Sequence, residues 1–304
     1  MQTQIMLFFQ SISSPLLDTV GEFATWFGEQ TVFIFITAYL LWCMNKQKGF
    51  TIFSTLFISL FTMNALKAII RQPRPFMVIE QLEGKRLETA TGYSFPSGHS
   101  TGAASFYSSL AYLQRRRWLS IICAVLILLV GVSRIYLRVH WPLDVFAGIT
   151  LGIVVTLLLA ELFGKLYQNK GLLIGFSYIV GIVSTVAGLI LAFLISAHAV
   201  DEVAFGDMMK LLALGSGGYI GFAIEESRIH YATDGTFGIK LLRFAIGIIV
   251  IVLIQAAKAV LPEHLVFSFL RYALTGAWAT VLYPYLGRHV KLGKHGYLFT
   301  AEAT

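Results

Sequence analysis

The polar residues with the clearest chemical potential lie in one short stretch of an otherwise apolar chain. This stretch, Ser133 to Asp144, reads SRIYLRVHWPLD. His140 and Asp144 are four residues apart, and Pro142 suits a helix start, so one helical turn would bring the carboxylate to a ring nitrogen of the histidine. A carboxylate there fixes the tautomer and leaves the other nitrogen free as a nucleophile. Arg134 is near enough to neutralise phosphate oxygens, so the stretch predicts half of a phosphoryl-transfer site.

A second cluster lies where a predicted membrane helix ends. It reads KAIIRQPRP and starts at Lys67. Lys67 and Arg71 are four residues apart, which predicts one helical face for both. Two prolines then stop the helix and hold Arg74 just beyond it. The cluster therefore predicts several cations at one helix end.

A third cluster begins the next predicted helix and reads FPSGHS from Phe95 onward. Pro96 suits the first helical turn. The three residues after it, Ser97, Gly98 and His99, then carry backbone N–H groups without helical partners, which makes an anion-binding helix N-terminus. His99 could also protonate a leaving oxygen.

Each cluster alone has an ordinary explanation. Interfacial arginines commonly snorkel towards water, Pro-Ser-Gly commonly starts a helix, and a lone histidine is more often structural than catalytic. Together, however, the clusters would gather Lys67, Arg74 and Arg134 near two histidines on one side of one membrane. Like charges at the edge of a bilayer are costly unless an anion joins them, and phosphate is a fitting anion.

The elements that must position these residues are membrane helices. Of the 304 residues, 57% are hydrophobic and 13% are charged, against roughly 25% charged in soluble proteins. Apolar runs close to the ~20 residues needed to cross a bilayer recur along the chain. The sequence predicts an all-α polytopic membrane protein with about nine spans, near 29–44, 50–69, 97–113, 118–137, 142–165, 172–197, 207–224, 240–261 and 265–287. Residues 5–27 predict an interfacial amphipathic segment.

The charges of the loops predict the topology. The basic residues fall on one side: Lys46, Lys48, Arg115, Arg116, Arg117, Lys165, Lys170, Arg288, Lys291 and Lys294. The positive-inside rule makes that side cytoplasmic. An odd number of spans then places the N-terminus outside, the C-terminus in the cytoplasm, and the two polar stretches 71–95 and 133–144 on the outer face. The loops account for the net charge of +7, so nucleic acid is excluded as a partner. The chain has no Asn-X-Ser/Thr sequon, which favours a bacterial inner (plasma) membrane with the site facing the periplasm or the extracellular side.

Taken in order, the three clusters resemble the motifs of the type 2 phosphatidic acid phosphatase (PAP2) superfamily. That superfamily includes lipid phosphate phosphatases, glucose-6-phosphatase and vanadium haloperoxidases. The matching residues are Lys67, Arg74 and Pro75, then Pro96, Ser97, Gly98 and His99, then Ser133, Arg134, His140 and Asp144. Pro-Ser-Gly-His alone is a weak signal, whereas the three motifs in order are specific. The resemblance covers residues 50–165 and the helices that flank them.

The resemblance implies hydrolysis of a phosphomonoester or diphosphate through a phosphohistidine intermediate, with no metal ion and no cofactor. By motif position, His140 would be the nucleophile, Asp144 would orient it, and His99 would be the general acid. The phosphate-binding residues would be Lys67, Arg74, Ser97, Gly98 and Arg134.

The chain is longer than the motifs require. We expect residues 1–197 to form a membrane-embedded phosphatase core with an N-terminal interfacial segment. Residues 198–304 would be additional C-terminal transmembrane helices, to which the resemblance gives no role. Between the two parts lies an acidic stretch with His198, Asp201, Glu202 and Asp207. A solvated turn is the favoured interpretation, with approach to the active site or cation binding as alternatives.

Two further patterns give structural predictions. Glu225–Asp234 reads EESRIHYATD, which predicts a solvated cytoplasmic loop rather than a metal site, because the ligand types lack tight spacing. Gly148 with Gly152, and Gly217 with Gly221, have the GxxxG spacing that indicates close helix packing.

The expected function is hydrolysis of a lipid phosphate or diphosphate that enters sideways from the membrane. Undecaprenyl diphosphate, phosphatidylglycerophosphate, phosphatidic acid and lipid A phosphates are candidate substrates. A soluble phosphate ester is less favoured, because the outer loop offers little to enclose one. Two alternatives stay open. A lipid-to-lipid phosphotransferase would use the same residues, whereas a lipid-carrier transporter or flippase would not depend on His140.

Overall fold

Helices make up almost all of the protein in a computed structural model that describes residues 1–262, 264–290 and 297–301. The helices are α1 (Gln2–Ser11), α2 (Pro15–Trp26), α3 (Gln30–Tyr39), α4 (Lys46–Ile70), α5 (Pro75–Val78), α6 (Gly98–Gln114), α7 (Arg117–Tyr136), α8 (Pro142–Gln168), α9 (Lys170–Ser196), α10 (Glu202–Ile224), α11 (Phe237–Ala256), α12 (Leu265–Ala277) and α13 (Tyr283–Gly287). Single π turns cover Leu40–Met44, Glu225–Ile229 and Trp278–Leu282, and 3₁₀ turns cover Leu87–Thr89 and Ala257–Ala259. Two short strands, β1 (Tyr231–Ala232) and β2 (Thr300–Ala301), pair antiparallel. The all-α class is confirmed.

The structure does not confirm the predicted number of nine spans. Among the described residues, six segments are long and apolar enough to cross a membrane, and a seventh follows if α2 and α3, bent by 43°, form one broken span. The six are Lys46–Val78, Arg117–Tyr136, Pro142–Gln168, Lys170–Ser196, Phe237–Ala259 and Leu265–Gly287. Helix α6 has only 17 residues, and α10 mixes charged and small residues into its apolar sequence. The count of nine is therefore not confirmed, and the interfacial placement of residues 5–27 stays a prediction.

The chain divides into two compact units that do not follow chain order. The first comprises Met1–Ile34, Thr51–Leu162 and Asp201–Asp207. The second comprises Phe35–Phe50, Phe163–Val200 and the described part of Met208–Thr304. The domain boundary at residue 198 stays a prediction. All three motif clusters belong to the first unit.

Hydroxyl groups connect the helices that carry the motifs. Thr55 of α4 and Ser109 of α6 have hydroxyl oxygens 2.8 Å apart, and Ser59 donates to Ser105 at 2.9 Å. Thr156 of α8 lies 3.4 Å from the Ser109 hydroxyl. Small polar residues let membrane helices approach closely, and their hydrogen bonds are made where water is scarce. These contacts fix how α4, α6 and α8 present their ends.

Two glycines bring α8 against α6. A Cβ atom on Gly148 would lie 2.7 Å from the carbonyl oxygen of Ser97, and one on Gly152 would lie 2.6 Å from the backbone of Thr101 and Ser105. The close packing predicted from the GxxxG spacing is confirmed for this pair. The contact sets the first turn of α8, which carries Asp144, directly beside the Ser97 backbone.

We expect Gly148→Ala to destabilise the protein by about 1–3 kcal/mol, because a backbone oxygen cannot move aside as a side chain can. Gly175→Ala in α9 is the control: its Cβ would meet nothing within 4 Å, and removing glycine from a helix should stabilise by about 0.5–1 kcal/mol. Thermal midpoints in detergent measure both changes. Equal midpoints for the two variants would contradict the tight contact.

The second unit repeats the glycine contact in its own helices. A Cβ on Gly217 would lie 1.8 Å from the carbonyl oxygen of Ala273, and one on Gly221 would lie 2.2 Å from the hydroxyl of Thr280. The packing predicted for Gly217 and Gly221 is therefore also confirmed.

The predicted solvated loop Glu225–Asp234 is wrong at its start. Glu225 and Glu226 are 0% and 2% exposed. The physical reason is a cation that is far away in sequence but close in space: Lys46 Nζ lies 3.3 Å from the Glu225 carboxylate and 3.6 Å from that of Glu226. Tyr167 donates a further hydrogen bond to Glu226 at 3.0 Å. Buried carboxylates persist only when they are paired in this way.

Candidate active site

His140 and Asp144 meet as their spacing predicts. Helix α8 begins at Pro142, which puts Asp144 in its first turn and His140 in the connection before it. The Nδ1 atom of His140 lies 3.4 Å from Oδ2 of Asp144. The backbone N–H of Trp141 donates to the same oxygen at 2.8 Å. His140 and Asp144 are 2% and 0% exposed, so the pair is enclosed by protein.

Ser94 completes this pair, and the sequence analysis missed it. Its hydroxyl donates to Oδ2 of Asp144 and lies 3.5 Å from Nδ1 of His140. Its N–H donates to the carbonyl of Gln72 at 2.8 Å, which fixes the serine. Two donors and the imidazole edge thus surround one carboxylate oxygen. No spacing rule points to Ser94, since 46 and 50 residues separate it from its two side-chain partners.

We expect Ser94→Ala to lower kcat by about 10- to 100-fold, because it removes one hydrogen bond to a charged group, worth about 1.5–3 kcal/mol, while the Trp141 N–H still holds Asp144. Steady-state phosphate release measures the change. Ser120→Ala is the control, since Ser120 is exposed and donates only to a carbonyl of its own helix. An unchanged kcat for Ser94→Ala would show that the serine does not orient the carboxylate.

Arg74 contacts the opposite edge of the histidine ring. Its Nη1 lies 3.2 Å from Nε2 of His140 and donates to the Val139 carbonyl at 2.9 Å. Its Nε and Nη2 donate to the carbonyls of Gly92 and Thr91 at 3.0 and 2.6 Å. A guanidinium only donates hydrogen bonds. Nε2 is therefore the acceptor nitrogen of His140, and the ring proton is on Nδ1, facing Asp144.

Arg134 is a buried cation with unused donors. It lies in the last turn of α7, is 0% exposed, and its Nη1 donates to the hydroxyl of Thr25 at 2.9 Å. Its Nε and Nη2 are buried without a hydrogen-bond partner among the described residues. Burying a guanidinium with unmade hydrogen bonds is costly, and an anion with two acceptor oxygens fits these donors. Thr25, 109 residues away, was not predicted.

Ser97, Gly98 and His99 form the start of α6, with two corrections to the prediction. Pro96 lies outside the helix, which begins at Gly98 with Ser97 as its N-cap. The Ser97 hydroxyl accepts from the Ser100 N–H at 3.4 Å, and its own N–H donates to the Asp144 carbonyl at 3.0 Å. The N–H of Ser97 is thus paired, not free as predicted, because α8 packs against it.

The Nε2 atom of His99 is buried and has no hydrogen-bond partner in the part of the chain that the structure describes. Like the two Arg134 donors, it is a polar atom that a bound oxyanion or its leaving group can satisfy.

Lys67 and Arg71 do not share a helical face, contrary to the prediction. Helix α4 ends at Ile70, and Arg71 adopts a positive φ of 52°, is exposed, and donates to the carbonyl of Ala68. Lys67 is 6% exposed. A Cβ on Gly92 would lie 3.9 Å from Lys67 Nζ, which places the ammonium beside the turn that binds Arg74.

The electrostatics of the site favour an uncharged histidine among cations. Burial lowers the pKa of His140 well below its usual range, and the neighbouring cations, Arg74 first, lower it further. Both effects favour the neutral form of His140. A neutral imidazole that accepts at Nε2 and is held at Nδ1 by a carboxylate can act as a nucleophile.

The chain is similar to known protein families and to curated proteins. A family described as the PAP2 superfamily matches residues 48–168, and one described as the transmembrane extension of PAP2 superfamily phosphatases matches residues 209–295. The chain is 35% identical to an undecaprenyl-diphosphatase of Sulfolobus acidocaldarius, over 45% of this chain and 66% of the relative. It is 31% identical to a putative undecaprenyl-diphosphatase of Escherichia coli, over 46% of this chain and 75% of the relative.

A solved structure shows a partial likeness. The crystal structure of Aquifex aeolicus LpxE aligns with a TM-score of 0.46 and 25% identity, covering 51% of this chain and 92% of that one. The two family matches together span the motif clusters and most of the helices after residue 208. The chain is an integral membrane protein of the PAP2 superfamily, and it carries both the superfamily domain and the transmembrane extension of its phosphatases.

Proposed function

We propose that the protein hydrolyses a lipid phosphate or diphosphate through a covalent phosphohistidine on His140, without a metal ion. One observation carries the proposal: His140 is buried with Arg74 against its ring, and two donors of Arg134 have no partner among the described residues. A phosphate group supplies the negative charge and the acceptor oxygens that these groups need. The named activity of the undecaprenyl-diphosphatase relatives supports a lipid as the leaving group.

Phosphate binding is the first task of the site. We assign it to Lys67, Arg74, Ser97, Gly98 and Arg134. Arg134 would present Nε and Nη2 to two phosphate oxygens. Arg74 would turn Nη1 from His140 to a phosphate oxygen and so free the lone pair of Nε2. Ser97 would contribute its hydroxyl, since its N–H is already paired.

In the first chemical step, Nε2 of His140 attacks phosphorus, and the bond between phosphorus and the leaving-group oxygen breaks; that oxygen is the lipid alcohol oxygen of a monophosphate or the bridging oxygen of a diphosphate. The negative charge of the bound phosphate favours the protonated form of His99, which then protonates that oxygen. Asp144 stabilises the positive imidazole through Nδ1–H. The cations stabilise the charge on the three peripheral oxygens, which suits a reaction governed by electrostatics.

In the second step, water attacks the phosphohistidine. Neutral His99 accepts a proton from the water, the bond between phosphorus and Nε2 breaks, and His140 returns to its neutral form. Inorganic phosphate and the free lipid alcohol, or the lipid monophosphate when the substrate is a diphosphate, leave the site. A second lipid alcohol in place of water would make the same site a phosphotransferase.

An apolar groove beside the site supports a lipid substrate. It holds about 480 Å³ and is lined by Phe95, Leu143, Phe146, Ala147, Thr150, Leu151 and Val154. Phe95 directly precedes the Pro-Ser-Gly-His motif, and Leu143 precedes Asp144. Phe146 is 68% exposed and Leu143 is 53% exposed. An acyl or prenyl chain lying along α8 would cover these side chains while its phosphate reached His140.

The site is proposed to face the outer side of a bacterial inner membrane. The support is the basic charge of the opposite loops, such as Arg115, Arg116 and Arg117. Lys291 and Lys294, which were also among the basic residues used to predict the topology, lie outside the described residues. A cytoplasmic C-terminus follows from the same rule.

The testing experiment is phosphate release in detergent, with EDTA present, from a panel of lipid phosphates and diphosphates. The panel contains undecaprenyl diphosphate, phosphatidylglycerophosphate, phosphatidic acid and a soluble sugar phosphate. We expect release from at least one lipid, undiminished by EDTA, and little from the sugar phosphate.

Each other outcome has its own meaning. Loss of release with EDTA, restored by a divalent cation, would overturn the metal-free mechanism. Phosphate that appears on a second lipid instead of in solution would make the protein a phosphotransferase. No release and no transfer from any lipid would overturn the enzyme assignment and favour a lipid-carrier transporter.

A further inference from the structure

The turn Thr91–Ser94 holds both partners of His140. Thr91 and Gly92 supply the carbonyl oxygens that accept from Arg74. Ser94 supplies the hydroxyl that donates to Asp144. The positions of the guanidinium and the carboxylate therefore depend on where this turn lies, although neither Thr91 nor Gly92 belongs to a motif.

The turn has little regular structure of its own. Apart from the 3₁₀ turn Leu87–Thr89, the segment between α5 and α6 has no helix or strand. Thr91 is exposed. Loops of this kind are mobile unless side chains or ligands hold them. The Ser94 N–H bond to Gln72 fixes one end of the turn, and the end that holds the buried arginine needs a restraint of its own.

Two carboxylates at the start of α10 supply that restraint. The Thr91 hydroxyl donates to Oδ2 of Asp207 at 2.7 Å, and the Tyr93 hydroxyl donates to Oδ2 of Asp201 at 2.9 Å. Asp201 is itself fixed, because its Oδ1 accepts from the N–H of Val203 at 2.9 Å. These contacts span 116 and 108 residues, and the segment Asp201–Asp207 belongs to the same compact unit as the site.

Backbone contact supports the same conclusion. Gly92 has a positive φ of 66°, and a Cβ on it would lie 3.2 Å from the carbonyl oxygen of Val203. The same Cβ would lie 3.9 Å from Lys67 Nζ and 4.0 Å from Oδ2 of Asp207. The turn thus lies between α10 and the cations of the site, with no room for a side chain.

We propose that Asp207 and Asp201 are positioning residues of the phosphatase site: they hold the turn Thr91–Ser94 so that its carbonyls keep Arg74 beside His140, within reach of the phosphate. The segment that carries them lies between the two family matches, after residue 168 and before residue 209. The inference rests on the proposed function for its kinetic readout, and it assigns a role in the site to a part of the chain outside the three motifs.

The test is a set of hydrogen-bond deletions with matched controls. Thr91→Val removes the donor to Asp207 without changing charge, and Thr91→Ser keeps it. Asp207→Asn weakens the acceptor. Glu202→Gln, an exposed acidic residue at the start of the same helix, is the charge control. We expect Thr91→Val and Asp207→Asn to lower kcat about 10-fold each, as losing one hydrogen bond to a charged group would, with thermal midpoints close to the wild type.

Rescue and coupling distinguish positioning from a general loss of structure. Thr91→Ser should restore most of the kcat. The double variant Thr91→Val/Asp207→Asn should be no slower than Asp207→Asn alone, because Asp207→Asn already weakens the contact that Thr91→Val removes. In an Arg74→Lys background, Thr91→Val should lower kcat less than twofold. A lysine ammonium lacks the planar fork with which a guanidinium donates to both carbonyls of the turn, so the position of the turn matters less.

The outcomes separate this inference from the proposed function. If the wild type releases phosphate and Thr91→Val is within twofold of it, the positioning role is wrong and the phosphatase assignment stands. An equal loss in the Arg74→Lys background would also overturn it. If the wild type releases no phosphate, the shift of the thermal midpoint by orthovanadate becomes the readout. A smaller shift in Thr91→Val than in Thr91→Ser would then support the role, and equal shifts, including none, would overturn it.

Discussion

His140→Ala should abolish phosphate release, lowering kcat by about 10⁴-fold or more, as removal of a covalent nucleophile does in other hydrolases. The remaining cations can still bind phosphate, but they cannot form the intermediate. We therefore expect KM for the best lipid to change much less than kcat. His289→Ala is the control, since His289 is exposed and its Nδ1 contacts only the carbonyl of Tyr285.

The intermediate offers a direct check on the same residue. Wild-type protein mixed with a ³²P-labelled substrate and quenched in alkali should carry label on the protein. A phosphohistidine is stable to base and labile to acid, so acid treatment should remove the label. His140→Ala should carry none, whereas His289→Ala should carry the wild-type amount. Label that survives in His140→Ala would move the nucleophile elsewhere, and full activity in that variant would favour a transporter.

The motif residues could be predicted because they lie at helix ends in short runs. A histidine and an aspartate one turn apart, or a helix start at a Pro-Ser-Gly run, follow from local geometry alone. The structure places His140 against Asp144 as that geometry requires. Their roles as nucleophile and orienting group are still proposals, because position does not measure reactivity.

The partners of those residues could not be predicted from one sequence. Thr25 reaches Arg134 across 109 residues, and Asp207 reaches Thr91 across 116. Serines, threonines and aspartates at such distances carry no local signal, since their residue types also suit solvated turns. The favoured interpretation of the acidic stretch as a solvated turn was wrong for Asp207, because its carboxylate accepts a hydrogen bond from the Thr91 hydroxyl.

The same limit explains the buried carboxylates of the second unit. Glu225 looks solvated because its neighbours in sequence are polar, yet its partner Lys46 comes 179 residues earlier. Hydropathy identified where helices occur but not how many cross the membrane. Helix α6, for example, is short and rich in serine because its hydroxyls bind neighbouring helices rather than lipid.

Arg134→Met should lower kcat/KM by about 10³-fold and yet leave the substrate-free protein as stable as the wild type or more stable. The loss of activity follows because Arg134 no longer donates to the phosphate, and removing such a contact to the developing charge costs about 10²–10³-fold. The gain in stability follows because a buried guanidinium with two unpartnered nitrogens costs free energy that a methionine of similar length does not. Phosphate release and the thermal midpoint, measured on the same preparation, test both parts.

Arg243→Met is the matched control for stability. Arg243 is also buried, at 1% exposed, but its guanidinium donates to the carbonyls of Trp42, Asp234 and Leu298. Removing it leaves three acceptors without their donor, so we expect a clear drop in the thermal midpoint. The two arginines should therefore respond in opposite directions to the same substitution.

Orthovanadate, which resembles the transferred phosphoryl group, should distinguish binding from folding at Arg134. A ligand at 100 times its Kd stabilises the folded state by about 2.7 kcal/mol. We expect a rise in the thermal midpoint for the wild type, little or none for Arg134→Met, and an intermediate rise for Arg134→Lys, which keeps the charge but loses the planar fork. A lower midpoint without vanadate together with an unchanged vanadate shift would make Arg134 a structural residue. A raised thermal midpoint of Arg134→Met together with a lost vanadate shift would mean that the protein keeps an unpaired buried cation in order to bind the phosphate of its substrate.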